Sequence, residues 1–369
     1  SVKVPGGVVY LGGMNAQTSL EECIFINEKD STSTSLPSLP KALDNFAATY
    51  NDGVIWVAGG ESNGVPNKEV YALSISGKRK GESGKVEGEN RGVWSKVAEL
   101  PDECRLQPCV AVQNTVSGKA LFIFGGYQPK TESMAPMVHT DGVYMPIVEL
   151  QKGNTAPTQW KRTAQTLAWG ANNERKQYLQ AIVGTTCTPV GYSHVMFFGG
   201  VNHDIFLSAI KGQQDDQYPN HEPEWYKFRK NALIYHTITD SWGLLPGDSM
   251  LARAGACLTP LAGGTGWIYS GGELMPGVRS ADVTNIKVSN DKSFGWLNWT
   301  VLIVYMIGML GLGYFFMLRE NSSEDFFKGG GRIPWWAAGI SIYATMLSAI
   351  TYMAIPAKAY ATDWTYYPM

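Results

Sequence analysis

The stretch Val54-Ile55-Trp56-Val57-Ala58-Gly59-Gly60 is an apolar run too short for a helix, closed by two glycines. A run of this length bounded by glycine reads as a strand buried on both faces. The same figure returns as Val8–Leu11 before Gly12-Gly13, Leu121–Phe124 before Gly125-Gly126, Val195–Phe198 before Gly199-Gly200 and Trp267–Ser270 before Gly271-Gly272. Successive doublets are 47, 66, 74 and 72 residues apart. A later aromatic strand and a tryptophan often follow, as in Val70-Tyr71 with Trp94, Val143-Tyr144 with Trp160 and Ile234-Tyr235 with Trp242.

Short strands repeating at roughly 50 residues, with glycines where backbones crowd an axis, predict a β-propeller. Each blade is one four-stranded sheet that buries its faces only against its neighbours. The excess length falls in polar insertions at 77–92, 127–142 and 202–230, which are expected on one rim, where loops carry binding. The repeat resembles the kelch repeat. We therefore expect an all-β kelch propeller with five recognisable blades. Propellers of the family this chain resembles have six, and Ser1 falls inside a blade-like segment, so the start of the ring is expected to lie upstream of it.

Outward from the repeats, the chain changes solvent between Asp291 and Trp296. Trp296–Leu318 is 23 residues without a charge, and Ile333–Ile355 is a second apolar stretch. As a helix the first would be roughly 35 Å long, against a hydrocarbon core of about 30 Å. The expected division is a propeller at 1–290 and two transmembrane α-helices at 291–369. The mean hydropathy of −0.13 conceals this, because a polar domain and an apolar tail cancel. Between the two stretches lie Arg319, Lys328 and Arg332, which predict a cytoplasmic loop and a propeller on the periplasmic or extracellular side.

Bulk charge excludes one class of partner. A net charge of −2 gives no basic field for nucleic acid. Cys23, Cys104, Cys109, Cys187 and Cys257 show no metal-ligand spacing, so no metal is expected in the propeller, and they read as buried thiols.

The fifth doublet runs on as Gly272-Glu273-Leu274-Met275-Pro276-Gly277-Val278-Arg279-Ser280-Ala281-Asp282. Pro276-Gly277 forces a turn that can bring Glu273 and Arg279 side by side. From spacing alone, an ordinary ion pair closing the loop accounts for them. Together with Gly199-Gly200-Val201-Asn202-His203-Asp204-Ile205-Phe206, the motif Glu273-x-x-Pro276-Gly277-x-Arg279-x-x-Asp282 resembles the kelch-type N-acetylneuraminate epimerases, or sialic acid mutarotases. Arg105-x-Gln107 and Asp44-Asn45 add supporting matches, while Leu106 and His203 depart from the usual choices. The resemblance covers about residues 1–288. It implies a catalytic pair at Glu273 and Arg279, with substrate contacts at Arg105 and Asn202, no cofactor for the propeller, and a sugar acid such as N-acetylneuraminate as substrate. Arg253, outside the matched motifs, is expected as a further substrate contact.

The tail carries a second resemblance. Ser323–Phe327, Gly329–Arg332, Pro334–Gly339 and Ser348–Thr351 are similar to the start of sodium:solute symporters, over about residues 295–369. That implies Na+ as the coupling ion of a complete carrier, the lipid bilayer as surroundings, and a second helix broken near Ala344–Leu347. The carbonyls of Ala344 and Leu347 would form half of a sodium site, and Thr351 would face the substrate. Small and hydroxyl residues at this spacing equally suit tight helix packing. The combined expectation is an extracytoplasmic mutarotase tethered to a sodium-coupled carrier. The alternative is a non-catalytic propeller that binds a glycan or partner and gates it.

Overall fold

A computed structural model describes residues 1–75, 92–150, 159–169, 177–214, 216–245, 247, 249–261, 266–287, 295–318 and 334–346. It divides into two compact units, Ser1–Ile286 and Lys287–Met369.

Among the described residues the first unit holds five antiparallel blade sheets, each a meander taken in chain order, and three two-stranded hairpins beside them. Blade 1 comprises Val2–Val4, Gly7–Met14, Ser19–Asn27 and Ser33–Leu36, and blade 2 comprises Asp44–Asn51, Val54–Ser62, Glu69–Ser74 and Trp94–Glu99. Blade 3 follows with Cys109–Thr115, Gly118–Phe124, Gly142–Pro146 and Lys161–Arg162, and blade 4 with Thr186–Val190, His194–Phe198, Ala232–His236 and Ser241–Leu245. In blade 5, Cys257–Pro260, Trp267–Ser270 and Val283–Ile286 pair in the same way. This is the kelch propeller arrangement that the repeats predict.

Strand alternation explains why every second strand is apolar throughout. In Val54–Ser62, Ile55 and Val57 pack toward blade 1 with Val9, Leu11, Tyr71 and Leu73. Trp56 and Ala58, on the other face, pack toward blade 3 with Val110, Val112, Leu121 and Ile123. Blade 3 repeats the pattern: Phe122 and Phe124 meet Val195, Phe197, Leu233 and Tyr235 of blade 4. Met196 and Phe198 of blade 4 then meet Tyr269 of blade 5. Because side chains alternate at a period of two, each such strand is covered on both sides by its neighbours. The core is thus a series of inter-blade slabs.

The glycine doublets join the blades. Gly60 donates its N–H to the Arg105 carbonyl, Gly126 to that of Ile182 and Gly200 to that of Arg253, at 2.8–2.9 Å. In each case the acceptor lies on the segment leading into the next blade. At the Gly125-Gly126 doublet both residues are left-handed, with φ of +62° and +86°. A Cβ on Gly125 would sit 2.4 Å from both the carbonyl oxygen and the Cβ of Ile182. Glycine is required there by conformation and by space together.

In the second unit, Trp296–Met317 is a helix of 22 residues and Trp335–Met346 one of 12. Trp296–Phe315 is the one helix among the described residues long and apolar enough to cross a membrane. Its apolar side chains point outward all round, from Trp296 to Tyr314. A helix without a polar stripe suits an apolar surround. Ala344 lies on the second helix, whereas Leu347 and Thr351 are outside the described residues.

The joint can be tested by contrast. Gly191 is also left-handed, at φ +57°, yet a Cβ there would meet nothing within 4 Å. Gly191→Ala should cost about 1 kcal/mol, the backbone term alone. Gly125→Ala should cost about 2 kcal/mol more, because the clash with Ile182 adds to it. Paired thermal or denaturant unfolding curves of the two variants measure the difference.

Candidate functional site

The inner strands converge on an open cavity of about 1260 Å³. Glu273, Arg279, Asn202, Asn45 and Gln107 all line it. Glu273 opens a short strand, Glu273–Met275, that pairs with Val278–Arg279 across the Pro276-Gly277 turn. Gly277 has φ +78°, which the tight reversal requires. Glu273 and Arg279 are consequently cross-strand partners, with Arg279 Nε 3.9 Å from Glu273 Oε1. The hairpin is anchored by paired backbone bonds: Glu273 N–H donates to the Ala254 carbonyl at 2.7 Å and Ala254 N–H to that of Glu273 at 3.0 Å.

The turn brings the two side chains together as the spacing predicts, but neither is consumed by the fold. Arg279 is 86% exposed and Glu273 40% exposed at the side chain. An ion pair so solvated and so long contributes little stability. The contrast with blade 2 is informative. Glu61 holds the position there that Glu273 holds in blade 5, each following a glycine doublet and bridging back to the segment before the inner strand. Glu61 is tied down, accepting a bond from Asn45 Nδ2 at 2.9 Å. In blade 5 the counterpart of Asn45 is Gly255, and Glu273 has no such tether to that position.

Asn202 also reaches the cavity wall. Its Oδ1 caps the helix His203–Ile210 by accepting from the N–H groups of Asp204 and Ile205, at 3.1 and 3.2 Å. Among the described residues the cap leaves the Asn202 amide nitrogen without a hydrogen-bond partner.

Two expectations need correction. Arg105 and Arg253, read from sequence as substrate contacts, are 0% and 1% exposed and serve the fold. Arg105 donates to the Gly125 carbonyl at 2.7 Å, to the Asp141 carbonyl at 3.1 Å and to the carboxylates of Asp102 and Asp141 at 2.7 and 2.9 Å. Arg253 repeats this in blade 5. It donates to the carbonyls of Gly271 at 3.1 Å and Asp282 at 2.9 Å, and to Thr284 Oγ1 at 2.9 Å, over the ring of Tyr269. Each guanidinium satisfies carbonyls that the doublet leaves open, which is why an arginine precedes these blades. Asp282, part of the recognised motif, likewise contributes backbone to Arg253.

Arg162 completes the blade 3 network by bonding Asp141 at 2.6 Å and Asp102 at 2.7 Å. Burial alone would raise the Asp102 carboxyl, but Arg105 and Arg162 outweigh it and hold it below the usual range. His139, also buried here, bonds the Cys104 carbonyl through Nε2 at 2.8 Å. Burial, then the charge of Arg105, lowers its ring to about 4, so Nε2–H is the donor at neutral pH.

Arg229 occupies in blade 4 the place that His139 occupies in blade 3, each giving its backbone N–H to the second glycine of a doublet. Its Nη2 bonds the Ala181 carbonyl, while Nε and Nη1 are buried without a partner among the described residues. Burial lowers it to about 10, which leaves it cationic at neutral pH. Nothing in the sequence marks this residue, since it lies in an insertion and outside every motif quoted above.

Comparison with known proteins finds two kinds of relative. No protein-family model matches the chain. It is 28% identical over 202 residues to the N-acetylneuraminate epimerase of Yersinia enterocolitica, covering 52% of this chain and 45% of that protein. With the N-acetylneuraminate epimerase of Yersinia pestis it shares 26% over 264 residues, covering 67% and 59%. The sodium/sialic acid symporter SiaT of Proteus mirabilis is 53% identical over 73 residues, 20% of this chain and 15% of that protein. The solved structure of YjhT superposes with a TM-score of 0.49 at 16% identity, covering 70% of this chain and 69% of that one. The chain thus spans about half the length of the epimerases it matches, and 15% of the symporter. It is similar to N-acetylneuraminate epimerases and, over a shorter segment, to sodium/sialic acid symporters.

The buried histidine gives this region a pH signature. A ring lowered in the folded state contributes fully above the ordinary value of 6.5, and that contribution is lost as pH falls through about 4. The loss is on the order of 3 kcal/mol, at about 1.4 kcal/mol per unit. Unfolding free energy measured from pH 7 to 4 should fall in the wild type, with a shallower slope in His139→Gln.

Proposed function

We propose that the propeller is a mutarotase that interconverts the anomers of a sugar acid of the N-acetylneuraminate class, tethered to a sodium-coupled carrier of the same solute. The observation that carries this reading is the Glu273–Arg279 pair, held side by side in the wall of a large cavity and free of structural duty. The names of the similar proteins support the same substrate for both units.

Anomer exchange of a cyclic sugar acid breaks the bond between the anomeric carbon and the ring oxygen. The Glu273 carboxylate takes the proton of the anomeric hydroxyl, and a carbonyl forms at that carbon. The electron pair of the broken bond stays on the ring oxygen, which takes up the proton that Glu273 now carries, directly or through a water molecule. Rotation and reclosure on the other face reverse each step, so atoms and charge balance. Arg279 stays protonated throughout and is suited to clamp the substrate carboxylate and to stabilise the oxygen that gains charge. Asn202 offers its amide nitrogen to a sugar oxygen. No cofactor is needed for this isomerisation.

For the tail, we assign the apolar helix Trp296–Met317 to the bilayer and place Arg319, Lys328 and Arg332 on the cytoplasmic side. The propeller then faces the periplasm or cell exterior. In a complete carrier the backbone carbonyls of Ala344 and Leu347 would supply oxygen ligands suited to a hard cation such as Na+, and Thr351 would face the solute. Tethering raises the local concentration of the anomer that the carrier takes up.

Two measurements test the two halves. Time-resolved NMR of freshly released α-N-acetylneuraminate should show faster equilibration with the full chain. Glu273→Ala should lower the acceleration by about a hundredfold, as expected for loss of a proton-transferring group; a full-rate variant would leave the ion-pair reading standing. Uptake of radiolabelled sugar acid by cells expressing the complete protein should require sodium and disappear in choline buffer.

A further inference from the structure

One backbone position recurs just before or at the start of an inner strand, and its occupants differ in kind. It is Asn45 in blade 2, Gln107 in blade 3, Gly184 in blade 4 and Gly255 in blade 5, all left-handed, with φ of +53°, +49°, +58° and +68°. Backbone bonds confirm the equivalence: Gln107 N–H donates to the Asn45 carbonyl, and Gly255 N–H to that of Gly184, both at 2.7 Å. All four residues line the cavity that holds Glu273 and Arg279. At Gly255 a Cβ would meet nothing within 4 Å, whereas at Gly184 it would come within 3.0 Å of the Ala254 Cβ, so a side chain has open space before it in blade 5.

The left-handed region favours glycine, tolerates asparagine and strains glutamine. Two blades take the unstrained choice, so the fold does not need a side chain here. Strain that neighbouring repeats avoid, located in a cavity wall, points to a ligand.

The two amides are also built into a network. Ser19 Oγ donates to Asp44 Oδ2 at 2.5 Å, and Asn45 Nδ2 donates to Asp44 Oδ1 and Glu61 Oε1, each at 2.9 Å. Asn45 Oδ1 then accepts from Gln107 Nε2 at 3.3 Å. Asp44 is buried, while Gln107 is exposed. The chain of bonds thus runs from a buried carboxylate to an exposed amide whose orientation it sets. With Nε2 fixed as donor to Asn45, Gln107 keeps one N–H and its Oε1 for something else.

We infer that the Asn45–Gln107 amide pair is a substrate-binding subsite, with the Gln107 amide donating to and accepting from a hydroxyl of the sugar acid. This rests on the mutarotase reading and extends it by naming a polar contact from blades 2 and 3, away from the catalytic hairpin of blade 5. A hydroxyl both donates and accepts, which matches the two free functions of one amide. The network spares the ligand the cost of orienting it.

The test is Gln107→Gly in the full chain, with Gln107→Glu as the variant that keeps size and acceptor. Glycine relieves the left-handed strain, so Tm should hold or rise. KM for N-acetylneuraminate anomer exchange should rise about tenfold, the worth of a neutral hydrogen bond or two, with kcat within about twofold of wild type. Gln107→Glu should also raise KM, through loss of the N–H donor. A Gln107→Gly variant with KM within about twofold of wild type overturns the subsite, whatever its Tm. Saturation-transfer NMR of N-acetylneuraminate binding separates this from failure of the parent reading. A wild type that binds but does not catalyse refutes the mutarotase, while weaker binding by Gln107→Gly still supports the subsite. A wild type that neither binds nor catalyses overturns both.

Discussion

Blades 1 to 4 are each fastened to the next by a glycine doublet whose first residue has no room for a side chain. The second glycine of a doublet gives its N–H to the carbonyl of the segment entering the next blade, and the first lies so close that a Cβ would touch that segment's backbone. Hydrophobic slabs between blades supply most of the favourable free energy, since they bury whole strands on both faces. The hydrophobic term is non-directional, however, and does not by itself choose a register. The doublets set the register between sheets and so fix where each inner strand begins. Buried arginines reinforce this in blades 3 and 5, where Arg105 and Arg253 collect the carbonyls of Gly125 and Gly271.

Because the joints are equivalent, the residues beside them occupy equivalent places around the cavity, and the repeats can be compared position by position. The residue after the doublet is Glu61 in one blade, tied to Asn45, and Glu273 in another, next to Arg279. The residue just before or at the start of the inner strand is glycine in two blades and a left-handed amide in two others. Chemistry enters where a blade departs from what the joint requires. On the proposed reading, blade 5 releases a glutamate for proton transfer while blades 2 and 3 hold amides toward the ligand.

The sequence disclosed the blades because the constraint that makes them is severe: five doublets after five apolar strands leave few other folds. It also disclosed the hairpin of Glu273 and Arg279, since Pro276-Gly277 permits little but a tight turn. It misled at Arg105 and Arg253. An arginine in a motif carries no mark of burial, and only the structure shows that the doublet carbonyls consume both guanidinium groups. The amide pair was visible only as a motif match. From Asn45, Gln107, Gly184 and Gly255 to the next doublet the distances are 14, 18, 15 and 16 residues. Uneven spacing hides the equivalence until φ values are compared. Arg229, a buried cation in an insertion, left no trace in the pattern at all.

On the proposed reading this cavity changes a sugar acid's anomer rather than merely holding it. Two-dimensional exchange NMR of N-acetylneuraminate at anomeric equilibrium tests that without any mutation. The exchange rate between the α and β H3 signals should rise in proportion to the concentration of the wild-type chain. A rate independent of added protein, at concentrations where binding is seen, would contradict it.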